Sequence, residues 1–177
     1  MKYRLGDLIQ SISNTYNFEN KSSVMFINTS DIYDGMISGK KTDVNKLPGQ
    51  AKKSILNGDI LFSEIRPKNK RFALVKNLNS QEYVVSTKLM VLRNKSSQIL
   101  NTKYLYFYLT SPKMLKYFQS EAESRSGTFP QITFRDNVAK VEIELPTLDK
   151  QDLFVKRIDS INKKIRINNQ INDNLVA

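Results

Sequence analysis

The 177 residues carry 28 Lys and Arg against 17 Asp and Glu, a formal net charge of +11, with 40% hydrophobic side chains, no histidine and no cysteine. That apolar content supports one main core, while the missing imidazoles and thiols exclude a histidine general base, a Ser-His-Asp triad, His- or Cys-liganded zinc and disulfides, and suit a reducing, cytoplasmic setting. The cationic excess makes a polyanion the leading partner class, because lysine and arginine gain affinity by displacing counterions from phosphates.

The start, Met1-Lys2-Tyr3-Arg4 followed by Gly6, Asp7 and Gln10, lacks the apolar stretch of a signal peptide. Nowhere does a run approach the ~20 apolar residues of a membrane span. From Tyr3 to Ile12 the spacing of Leu5, Leu8, Ile9 and Ile12 predicts a short amphipathic helix, ended at Asn14-Thr15. "SSVMFINTSDI", from Ser22 to Ile32, is rich in β-formers and predicts a strand that turns at Ser30-Asp31. Tyr33 to Ser54, with two glycines, a Pro-Gly pair and several lysines, predicts a long, exposed, cationic loop.

Asn57-Gly58-Asp59 is a turn signal that launches a buried strand through Ile60, Leu61, Phe62 and Ile65. "RPKNKR" then makes a basic turn, and "FALVKNL" returns as the second strand of a hairpin. Tyr83 to Leu92 predicts another strand, interrupted by the polar Ser86-Thr87-Lys88. Successive strands without long helices between them favour an antiparallel or mixed sheet, in an α/β or α+β domain.

Helical spacing begins at Asn101 or Thr102, either of which can cap a helix carrying Leu105, Tyr108 and Leu109; Pro112 marks a break or the first turn of a second helix through Met114, Leu115 and Phe118. "ESRSGTFPQIT" reads as a loop. In "VAKVEIELP" the alternation of Val141, Ile143 and Leu145 with Lys140, Glu142 and Glu144 predicts a last strand with one wet face. A terminal helix starts near Asp149, whose carboxylate can cap it. Along it Phe154, Ile158, Ile161, Ile165, Asn168, Asn172 and Leu175 occupy heptad a and d positions. The domain boundary therefore falls between 1–148 and 149–177.

Paired carboxylates occur at Asp59 and Glu64, Asp31 and Asp34, and Glu121 and Glu123, where turn or solvated roles outweigh catalysis. No Walker A loop, dinucleotide fingerprint or Asn-Pro-Pro-aromatic tetrapeptide is present. The chain is expected to carry no catalytic residue, metal site or cofactor of its own. Three cationic, polar loops are stronger candidates, for DNA binding: Arg66, Lys68, Lys70 and Arg71 in the hairpin turn, Lys40 and Lys41 in the Gly-rich loop, and Arg125, Ser126, Thr128 and Gln131 before the last strand. Each combines phosphate-seeking charge with groups able to read base edges. Tyr104, Tyr106, Phe107 and Tyr108 are expected to pack rather than to stack on bases. The heptad isoleucines call for a partner helix from outside the chain, with Asn168 and Asn172 on the seam selecting register.

In order and spacing, "LGDL", "LNGDILFSEIRP", "VVSTKLMVLR", "YLYFYLTS", "SGTFPQIT", "VEIELPTLDKQ" and "KKIRINNQINDNL" resemble one half of the specificity subunits of type I restriction-modification enzymes. The resemblance implies a target recognition domain followed by a long helix. Two such domains would read a two-part duplex DNA target, their helices packed antiparallel as a spacer. It further implies a non-catalytic subunit that recruits modification subunits, which methylate adenine using S-adenosylmethionine, and a restriction subunit that cleaves unmodified DNA; S-adenosylmethionine, ATP and Mg would belong to those partners. With one domain and one helix, this chain matches a fragment or a half-subunit that pairs with itself, in which case two-fold symmetry would make the target palindromic. The alternatives are a general nucleic-acid-binding module with a homodimerising coiled coil, and a nuclease using carboxylates and Mg²⁺.

Overall fold

The computed structural model of the chain describes residues 1–125 and 128–176. In chain order its elements are β1 (Lys2–Arg4), α1 (Leu5–Leu8), β2 (Ile9–Ile12), β3 (Ser23–Ile27), β4 (Ile32–Tyr33), β5 (Met36–Ile37), β6 (Lys40–Asp43), β7 (Ala51–Ser54), β8 (Ile60–Ser63), β9 (Phe72–Leu74), β10 (Tyr83–Ser86), β11 (Leu89–Asn94), α2 (Thr102–Leu109), α3 (Pro112–Arg125), β12 (Glu142–Glu144) and α4 (Leu148–Val176). Strands β2, β11, β8 and β9 form one antiparallel sheet in that spatial order. A second sheet, ordered β6, β3, β10, β7, is mixed, because β10 runs parallel to β3 and antiparallel to β7.

Strand β8 shows why the layers stack as they do. Side chains alternate across a strand, so Ile60 and Phe62 join Phe72, Leu105, Leu109 and Phe118 beneath α2 and α3. Leu61 points the other way and joins Ile27 and Val85 of the second sheet. The first sheet is thus buried on both faces, which is why β8 reads as an unbroken apolar run. Completely burying a residue such as Phe62 contributes about 2–3 kcal/mol, and the stacked Phe62–Phe72 pair adds to it at a centroid distance of 5.9 Å.

Several expectations need correction. Tyr3–Ile12 is not one helix: β1 pairs with β12, a single helical turn follows, and β2 pairs with β11. Leu5, Leu8 and Ile9 are buried as the helical pattern implied, but long-range sheet pairing overrides the local spacing. Gly6 permits the close turn, since a Cβ there would lie 3.0 Å from Ala139 Cβ. Tyr33–Ser54 is not a loop either, since it holds β5, β6 and β7 together with the end of β4. Asp34 (φ 44°) and Gly35 (φ 91°) form the left-handed turn between β4 and β5. Strand β6 is an edge strand whose lysines hid it in the sequence, charge being a usual guard on a free edge.

Tyr83–Leu92 splits at Ser86-Thr87-Lys88 into β10 and β11, which belong to different sheets. Helix α3 extends to Arg125, into the stretch read as loop. Helix α4 begins at Leu148, so Asp149 lies in its first turn rather than capping it, and the Gln151 amide donates to the Thr147 carbonyl at 3.0 Å. Other expectations hold. Asn101 caps α2 by accepting from the amides of Lys103 and Tyr104, Pro112 opens α3, and β12 buries Ile143 between two exposed glutamates. Tyr104, Tyr106 and Tyr108 pack against the core, and Phe107 lies against Phe154.

Asp59 does more than end a turn. Its carboxylate, 1% exposed, accepts from Arg93 Nε at 2.7 Å, from the second guanidinium nitrogen at 2.8 Å and from the Leu56 amide at 2.7 Å. This bidentate pair locks the start of β8 to the end of β11, and the carboxylate in turn holds the Arg93 guanidinium above its ordinary pKa despite its partial burial.

Candidate nucleic-acid interface

The loop joining β8 to β9 is tightly built. Arg66 (φ 46°) and Lys70 (φ 54°) adopt left-handed backbone on either side of a single 3-10 turn, Pro67–Asn69, with Pro67 buried beneath it. Each such non-glycine residue costs roughly 1–2 kcal/mol, and the surroundings hold both in place. The Lys68 amide donates to Gln119 Oε1 on α3 at 3.1 Å, and the Lys70 carbonyl accepts from the Asp34 amide at 2.8 Å.

The four hairpin cations are not equivalent. Arg71 is half-buried; one guanidinium nitrogen donates to the carbonyls of Ser30 (3.0 Å) and Ile32 (2.9 Å), and the group sits 5.9 Å from the Tyr33 ring centroid. It works as a tether for the β4–β5 hairpin. Lys68 and Lys70 make surface ion pairs, with Glu123 at 3.8 Å and Asp34 at 3.1 Å, while their side chains stay 63% and 47% exposed. Pairs of this kind are worth at most about 1 kcal/mol and exchange readily for another anion. Arg66 is exposed and forms no ion pair among the described residues.

The segment before β12 lies directly against this loop. Ile65 and Gln131 form an antiparallel bridge, the Arg66 amide donates to the Pro130 carbonyl at 3.0 Å, and the Ile132 amide donates to the Glu64 carbonyl at 2.8 Å. Thr128 and Gln131 are exposed beside it. At the end of α3, Arg125 pairs with Asp136 at 3.3 Å; this contact and the Thr133 hydroxyl hold the Asp136 carboxyl below its usual range. Ser126 lies outside the described residues. Lys40 and Lys41 are exposed on β6, opposite Phe26 and Met25, at the edge of the second sheet. Two of the three predicted loops therefore form one surface, and the third belongs to another sheet.

Next to this surface lies a cluster whose lysines the sequence does not single out and whose Glu64 it pairs only with Asp59. Lys53 on β7 donates to the carbonyls of Thr87 (3.1 Å) and Leu89 (2.8 Å), and burial lowers its pKa. Glu64 faces Lys53 and Lys88; burial pushes its carboxyl up, against the pull of both cations. The available signal was the polar Ser86-Thr87-Lys88 break, which is where the chain crosses between sheets.

A second overlooked residue anchors α4. Gln151 is fully buried, its Oε1 accepting from the Asn101 amide at 2.9 Å and its Nε2 donating to the carbonyls of Ile99 (2.8 Å) and Pro146 (2.9 Å). Asn101 also donates to Asp152, and Lys103 pairs with Asp159. Val155 is buried, and Phe154 packs edge-on against Tyr104 and Phe107 of α2, at centroid distances of 5.4 and 6.3 Å. The heptad stripe is therefore used in two ways. Phe154 and the half-buried Ile158 lie on the stretch of α4 docked to the domain, whereas Ile161 and Ile165 are each 53% exposed and Asn168 and Asn172 are exposed beyond them. The side chain of Leu175 lies outside the described residues. No helix among the described residues is long and apolar enough to cross a membrane.

The comparisons with known proteins agree with this architecture. The specificity subunit of the type I restriction enzyme HindI from Haemophilus influenzae is 42% identical over 175 residues, covering 98% of this chain and 38% of that protein. The HsdS subunit from Thermoanaerobacter tengcongensis superposes with a TM-score of 0.79 at 23% identity, over 97% of this chain and 44% of that one. A chain from a structure addressing assembly and conformational transition of the type I R-M system gives 0.77 at 22% identity, with the same coverage. At such identities the solved structures establish the fold. This chain spans less than half the length of each of these relatives. The family model for the type I restriction modification DNA specificity domain matches residues 1–177, and the chain belongs to that family.

Proposed function

We propose that residues 1–148 read a particular duplex DNA sequence and that residues 149–177 form a spacer and assembly arm, so that the chain directs partner subunits to that sequence without making or breaking bonds itself. The observation that carries this reading is the joined surface of the β8–β9 loop and the Thr128–Gln131 segment: exposed Arg66, Lys68 and Lys70 lie on the loop that Gln131 bridges. The charges suit phosphates, and the amide and hydroxyl groups suit base edges. Arg125 and Ser126 adjoin this surface in sequence, Arg71 is engaged with the β4–β5 hairpin, and Lys40 and Lys41 would meet DNA separately.

The partners in this proposal are modification subunits that use S-adenosylmethionine to methylate adenine and a restriction subunit, acting in the cytoplasm. A second recognition half, supplied by another copy or another chain, packs on the heptad stripe, whose exposed part runs from Ile161 through Asn172. Replacing Arg66, Lys68 and Lys70 together by alanine tests the DNA surface. Affinity for duplex DNA falls, and the slope of log affinity against log salt flattens by ~0.9 for each phosphate that is no longer neutralised. Unchanged affinity and slope refute the assignment.

A further inference from the structure

Glu64 sits where a carboxylate is hard to explain by solvation alone. It follows the last residue of β8, its amide donating to the Lys88 carbonyl at 3.2 Å and its carbonyl accepting from Ile132. It therefore lies at the head of the same short ladder that joins Ile65 to Gln131 and Arg66 to Pro130. The side chain is half-buried, and Lys53 and Lys88 are the cations that act on its carboxylate. Lys53 spends its own hydrogen bonds on the carbonyls of Thr87 and Leu89. Among the described residues the Glu64 carboxylate receives no hydrogen bond, and no ion pair closes within 4 Å, so both oxygens remain free to accept.

A phosphate-binding surface gains nothing from a negative charge at its centre. A base-reading surface does, because a carboxylate accepts from an exocyclic amine in the major groove, above all cytosine N4, and repels the acceptors of guanine and thymine at the same place. The neighbouring cations Lys53 and Lys88 offset its repulsion from phosphates, and Lys88 is exposed.

Resting on the reading given above, we infer that Glu64 is a specificity-determining residue, its carboxylate accepting a hydrogen bond from a base amine, with Lys88 on an adjacent phosphate. Glutamine in its place keeps the shape but replaces one acceptor by a donor, and it matches the N6 and N7 pair of adenine.

The test selects duplexes from a randomised pool with the full chain, and compares wild type, Glu64→Gln and Lys88→Ala. Thermal melting confirms that each variant folds. The inference expects E64Q to change the enriched motif at one base pair, from cytosine toward adenine or to no preference, with other positions and the salt slope retained. K88A is expected to bind several-fold more weakly with a flatter salt slope and an unchanged motif. An unchanged E64Q motif at unchanged affinity overturns the inference while leaving the DNA-recognition reading standing. A wild-type chain that enriches no motif overturns both.

Discussion

The β8–β9 hairpin uses charge differently at its two ends. At the end where β8 begins, Asp59 is buried and gripped by both nitrogens of one edge of Arg93. At the loop end, Lys68 and Lys70 hold partners only at the surface, and Arg66 forms no ion pair among the described residues. Burial makes the difference. A desolvated pair is costly to break because the survivor is left without water or partner, whereas a solvated pair exchanges one anion for another at little cost. One hairpin thus has a fixed end that aligns the sheet and a solvated end that, in the proposed function, meets a polyanion.

The largest effect expected from breaking this contrast is at the fixed end. Arg93→Ala leaves the Asp59 carboxylate buried without its cation and should lower stability by about 3–5 kcal/mol; thermal melting would show a fall of roughly 10 °C. Gln151→Ala removes the buried side-chain partner of three backbone groups, the Asn101 amide and the Ile99 and Pro146 carbonyls, and should cost about 2 kcal/mol. Hydrogen exchange should locate its effect at the α2–α4 junction. Arg71→Ala should cost about 1 kcal/mol, seen as faster exchange and proteolysis around residues 30–37.

Acid should reach the Arg125–Asp136 pair. Hydrogen bonds that its carboxylate accepts from Arg125 and Thr133 hold Asp136 below its unfolded value, so the contribution is complete above that unfolded value and fades as pH falls through the lower folded one. Asp136→Asn should flatten that part of the acid stability curve. The smallest stability change is expected from the triple alanine variant at Arg66, Lys68 and Lys70, within about 0.5 kcal/mol, although it should bind DNA far less well. If its melting temperature fell as far as that of Arg93→Ala, the contrast between the two ends would collapse.

What was legible in the sequence followed from burial on a regular period. The apolar run of β8, the alternation leading into β12, the Asn101 cap and the terminal helix all leave such traces. Elements whose pattern depends on distant partners were missed. Two-residue strands around Asp34-Gly35 are too short to show a period, and β6 is an edge strand made mostly of polar residues. Leu5, Leu8, Ile9 and Ile12 fit a helix until β11 and β12 claim their flanks. The hairpin cations could be read as a group from their adjacency. Their separation into tether, ion-pair partner and free charge could not, because Asp34, Glu123 and the Ser30 carbonyl are remote in sequence. Gln151 was invisible as a special residue for the same reason, and Glu64 stood out only as one of a carboxylate pair with Asp59. Nothing local distinguishes a buried amide from a solvated one.

The central proposal is that this chain chooses where on DNA its partners act. Sequencing the methylated sites in a host that carries the chain with its modification partner tests this most directly. Adenine methylation is expected to be confined to one bipartite motif, palindromic if two copies of the chain pair and asymmetric if a different half completes the subunit. Methylation scattered without a motif, or a motif unaltered when the chain is removed, would contradict it.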